Sequence, residues 1–168
     1  MATTNLPITK PLFSGNVKAQ GLLMEIDTNG LQYGFIVDPA STSIPFGAVV
    51  QKGASDNLVK AGVSATATNN YGIAVYSEAI STSRPASSDV YLAGMPINVL
   101  LDGYMWFYPE NMAGVTRASK VLADNATGAI SFGAQATEDV NTALTWAKVV
   151  LVDEKKTRVL VKVDVSLA

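Results

Sequence analysis

Near the end of the chain, in RVLVKVDV (158–165), valine takes every second position. Val159, Val161, Val163 and Val165 share one face, while Arg158, Leu160, Lys162 and Asp164 share the other. That period of two predicts a half-buried strand. AKVVLVD (147–153) is its natural partner, through the charged turn EKK (154–156). Further back, apolar runs of strand length alternate with turn residues. LQYGFIVD (31–38) ends at Pro39, IPFGAVVQKG (44–53) places a strand between Gly47 and Gly53, and YGIAVYS (71–77) alternates. INVLL (97–101), Asp102-Gly103 and YMWFY (104–108) predict a hairpin, because Asp-Gly accepts the positive φ angles of a tight turn. Lys120–Ala123 and AISFG (129–133) predict a second hairpin across DNATG (124–128). Residues 78–94, rich in Ser, Thr and Ala, predict a long surface loop. A helix is expected only over Glu138–Leu144, where Thr137 would cap an acidic first turn.

This pattern predicts an all-β fold, a single barrel or sandwich of short antiparallel strands with at most one or two short helices. Residues 1–30 carry Pro7, Pro11, Gly15, Gly21 and Gly30 and show no strand or helix period. They predict an N-terminal arm or irregular extension ahead of a 31–168 domain. Pro7, Pro11 and Phe13 are its candidate contacts if the arm clasps a neighbour, the alternative being a terminus or edge strand held by its own domain.

The stretch YMWFY needs its own account. In an extended chain Tyr104, Trp106 and Tyr108 share one face, and Met105 and Phe107 share the other. Both faces are apolar, whereas a simple surface hairpin keeps one face polar. Three readings stay open: a strand between two packed layers, an interface with another chain, or a ring platform for a ligand such as a carbohydrate. Glu110 and Asn111 are the polar residues nearest in sequence for that last use.

Composition narrows the chemistry. The 168 residues suit one well-buried domain. Histidine and cysteine are both absent. A thiolate nucleophile, a Ser-His-Asp triad, the usual zinc ligand sets and a disulfide framework are thereby excluded. Any catalysis would fall to carboxylates, lysine or tyrosine. Glu25 and Asp27 are a weak hard-cation pair, and such pairs are usually solvated surface. No phosphate-binding glycine loop or nucleophile elbow occurs. Charged residues make up 15 % of the chain, with a formal charge of −2 and no basic block. Nucleic acid and membrane are therefore not expected as partners, nor is a cofactor or small-molecule substrate. The N-terminus MATTNLPITKPLF lacks the basic start and apolar core of a secretory signal, so folding in a cytoplasm is expected.

Several of these segments, in this order, resemble the structural cement (decoration) proteins of tailed bacteriophage capsids. Ile44, Pro45, Phe46 and Gly47 match the first element of that pattern. Gly72, Ile73, Ala74 and Val75 match the second, and Gly94, Pro96, Val99, Leu100, Gly103 and Trp106 the third. TALTWAKVVLVDEKKTRVLVKVDV (142–165) completes the series, so the resemblance spans roughly residues 31–165. It implies a non-enzymatic virion protein, assembled in the bacterial host cytoplasm and bound to the outer surface of the shell. There it would bridge major capsid subunits against the pressure of packaged DNA. Self-association is implied too, a trimer being favoured over a dimer. A rival of another class is a carbohydrate-binding module on a virion spike, using Tyr104, Trp106 and Tyr108.

Overall fold

The computed structural model describes residues 22–23, 30–77, 90–137 and 139–167. Among the described residues twelve strands run in chain order: β1 Leu22–Leu23, β2 Gly30–Val37, β3 Ile44–Pro45, β4 Val49–Lys52, β5 Leu58–Ala61 and β6 Asn70–Ala74. There follow β7 Val90–Tyr91, β8 Pro96–Phe107, β9 Lys120–Asp124, β10 Ile130–Gly133, β11 Asn141–Val152 and β12 Val159–Asp164. Two single-turn 3-10 helices, Ala67–Asn69 and Val165–Leu167, are the only helical elements among the described residues. The chain is all-β.

Ten strands form one sheet in the order β10-β9-β11-β12-β8-β2-β5-β4-β6, with β1 attached to β8. A further pairing of β6 with β8 closes β8, β2, β5, β4 and β6 into a five-strand barrel. Its pairings are antiparallel except β2 with β5, which run parallel through Ile36↔Leu58 and Val37↔Val59. The strands β12, β11, β9 and β10 extend from β8 as an open wing. β3 and β7 form a separate two-strand ladder.

Alternation along the shared strands sorts side chains into two cores. Val50, Ala74 and Val99 join Phe35, Val37, Ile44, Phe46 and Tyr91 in one cluster. Their neighbours Val49, Ile73 and Leu100 join the wing residues Val121, Trp146, Val149, Val161 and Val163 in the other. Strands β4, β6 and β8 are apolar on both faces here because they separate the two cores.

The hairpins over 120–133 and 147–165 form as the period predicts. Four expectations are corrected. The hairpin at Asp102-Gly103 does not form: β8 runs unbroken for 12 residues. β12 pairs across both positions, through Asp164↔Asp102 and Val163↔Gly103, and that ladder holds the chain extended. Gly103 absorbs the local distortion at φ +145° instead of turning. The helix over Glu138–Leu144 is replaced by a short turn, with position 138 outside the described residues. The Thr137 carbonyl accepts the N–H groups of Val140 and Asn141, and from Asn141 the backbone enters β11, pairing Thr142 with Ala123. Tertiary pairing overrides a weak local helix signal. The surface loop over 78–94 contains a buried anchor in β7: Tyr91 is 1 % exposed and its hydroxyl donates to the Val75 carbonyl at 2.7 Å. Burial pushes that phenol up to about 12. Residues 78–89 lie outside the described residues. The strands are also not uniformly short, since β11 matches β8 at 12 residues.

Candidate interaction surface

Register fixes which aromatic residues face the core. β12 pairs Val159 with Phe107, Val161 with Met105 and Val163 with Gly103, and all six are buried. The alternate pairs, Leu160↔Trp106, Lys162↔Tyr104 and Asp164↔Asp102, stand on the opposite, outer face. Tyr104 and Trp106 are half-buried there, and Tyr108, just past the end of β8, is half-buried as well. Core and outer surface thus share one strand: Met105 and Phe107 face the core, while Tyr104 and Trp106 stand on the outer face.

The outer face carries two parallel rows. One is apolar: Trp106 on β8, Leu160 on β12 and Leu151 on β11, linked by Leu160↔Trp106 and Leu151↔Leu160. Leu160 is buried, whereas Leu151 is 45 % exposed. The other row is cationic. Lys120 on β9 pairs with Lys148 on β11, Lys148 with Lys162 on β12, and Lys162 with Tyr104 on β8.

Cations also cover the rings. The Arg158 guanidinium lies 4.2 Å from the centre of the Trp106 ring, and Lys162 Nζ lies 5.1 Å from that of Tyr104. Such contacts are worth about 0.5–1 kcal/mol at exposed sites. Arg158 is also held by Asp153 at 3.6 Å. Lys162 forms an ion pair with Asp102, and that hydrogen bond raises the ammonium pKa above its ordinary value. A sugar stacking on Trp106 or Tyr104 would have to displace these cations, so the face is poorly suited to a carbohydrate platform.

Beside the cationic row, β9 and β11 part. After Ala143↔Leu122 the next pair is Lys148↔Lys120, so residues 144–147 of β11 oppose only Val121 of β9. This break in the ladder leaves a notch of about 380 Å³, lined by Arg117, Ser119, Lys120, Thr145 and Lys148 among others. It has no local signature, because Lys120, Lys148 and Lys162 become neighbours only through strand register.

The other residues singled out in the sequence fall into place as structure. Ile44 and Phe46 are in the barrel core, where Phe46 packs edge-on against Tyr91 and Tyr76. Pro45 and Pro96 are exposed at the ends of β3 and β8, and Gly47 and Gly94 sit in turns. Gly72 lies at the β6–β8 closure. Pro7, Pro11, Phe13, Glu25 and Asp27 lie outside the described residues.

The architecture is a β-barrel with a two-sided wing, whose outer face is built from rings, leucines and cations. Comparison with known families names its class. The family model described as Structural cement protein (E217 gp24/Pam3 gp6), a phage cement family, matches residues 2–166, and the chain belongs to that family. Its role is that of a structural component of the phage virion, in contact with capsid proteins. No individual curated protein matches the chain.

Proposed function

We propose that this protein binds the outer surface of an assembled phage capsid, without enzymatic activity, and bridges neighbouring major capsid subunits against internal DNA pressure. The observation that carries the reading is the outer face of β8 and β12, where Trp106, Leu160 and Leu151 form an apolar row beside cations in a chain of the cement family. A cement acts by burying surface on its partner. Large aromatic side chains bury about 150–250 Å² each when fully covered, against a typical patch of roughly 800 Å² per partner. The half-buried rings therefore supply the centre of a patch, not the whole. Self-association as a closed ring, a trimer in preference to a dimer, fits the same role. The absence of histidine removes the usual charge switch between pH 5 and 8, which suits a permanent clamp.

The test is co-sedimentation of the full chain with DNA-filled heads assembled without it. Wild type is expected to sediment with the heads and raise the temperature at which they release DNA. Trp106→Ala is expected to lower occupancy roughly tenfold, as loss of an interface anchor does. Heads that neither bind the wild-type protein nor gain thermal resistance would overturn the reading.

A further inference from the structure

We infer that the cationic row and notch on the wing dock a short acidic segment of the shell protein. This deepens the reading above and rests on it. Lys120, Lys148 and Lys162 are direct cross-strand neighbours, and like charges placed so destabilise a sheet. Among the described residues only Lys162 of the three is neutralised, by Asp102. Among the described residues Arg117, Lys120 and Lys148 have no carboxylate in ion-pair range, and all three are exposed. They line the notch left where β9 and β11 part, together with the Ser119 and Thr145 side chains. A strand spacing of about 4.8 Å puts Lys120 and Lys162 roughly 10 Å apart at the backbone. That span matches two or three carboxylates on one extended peptide.

Charge sets the length of the occupant. The row ends at β8 against Asp102, with Asp164 opposite it, and the whole chain carries a net charge of −2. A long polyanion needs a continuing basic track and meets these carboxylates instead. A short acidic segment does not. The neighbouring row of Trp106, Leu160 and Leu151 adds an apolar strip for a hydrophobic residue of the same segment.

The experiment compares wild type with the Lys120→Glu/Lys148→Glu double variant on nuclease-treated, DNA-filled heads lacking this protein. Wild-type binding is expected to weaken roughly tenfold between about 0.05 and about 0.5 M salt. The double variant is expected to bind roughly tenfold more weakly at low salt and to lose most of that salt dependence. Its melting temperature and solution mass should match wild type, and Lys120→Gln/Lys148→Gln should fall between. If wild type binds and the double variant binds equally with the same salt dependence, the docking row is wrong while the cement reading stands. A changed solution mass would assign the row to a second copy, and binding restricted to heads not treated with nuclease would assign it to nucleic acid. Either result overturns the inference. Wild type that fails to bind heads at any salt removes both readings.

Discussion

At Gly72 the backbone takes φ +140°, and a Cβ there would lie 2.2 Å from the Leu100 carbonyl oxygen. This is where β6 meets β8 and the barrel closes, so the side chain is excluded by the sheet itself. Gly72→Ala is expected to cost about 3 kcal/mol or more, read from denaturant unfolding; a variant as stable as wild type would show that closure tolerates a wider gap. Asp38 is a second residue with a specific task. Its two carboxylate oxygens accept the N–H groups of Ala40 at 2.9 Å and Ala54 at 2.8 Å, tying the β2 end to the turn after β4. Those bonds hold its carboxyl below the usual carboxylate range. A folded-state value lowered in this way gives stability that is complete above the ordinary aspartate range and lost as pH falls through the depressed value. Melting of the wild type should therefore drop below about pH 4, and Asp38→Asn, less stable at neutral pH, should lose less over that interval. Equal acid slopes for the two proteins would remove the assignment.

Within β8, consecutive residues answer to different surroundings. Phe107 is 2 % exposed and packs edge-on against Phe132, whereas Trp106 stands on the outer face beneath Arg158. Phe107→Ala should cost about 3–5 kcal/mol, a melting shift of roughly 10 °C at this chain length. Trp106→Ala should cost about 1–2 kcal/mol, roughly 3–6 °C. Calorimetry that found the two shifts reversed would invert the assigned faces. The strand itself, the parity of its faces and the valine pattern of β12 were legible, because period two is a local property. The continuity of β8 through Asp102-Gly103 was not. An Asp-Gly pair has the same turn chemistry whether or not a neighbouring strand holds it extended, and here β12 does. β7 escaped notice because two residues are too few to show a period, although Tyr91 anchors the barrel.

At the largest scale the described residues form a barrel and a wing, and the N-terminal segment adds β1. Of that segment the backbone of Leu22–Leu23 pairs with Trp106 and Met105 on β8. Deletion of residues 1–20 is expected to leave melting close to wild type and to loosen attachment to heads in sedimentation. Unchanged attachment would show that the segment has no part in holding the shell. By itself the sequence determined the all-β class, the exclusion of histidine and cysteine chemistry and, through the order of its motifs, the cement family. Each of these depends on residue identity and short-range spacing. Tertiary structure alone decided which apolar face of β8 is core, because both faces look alike in sequence and only the layer packed on each one tells them apart. It also decided that lysines 28 and 14 positions apart, at 120, 148 and 162, stand side by side, since strand register lies outside any local pattern.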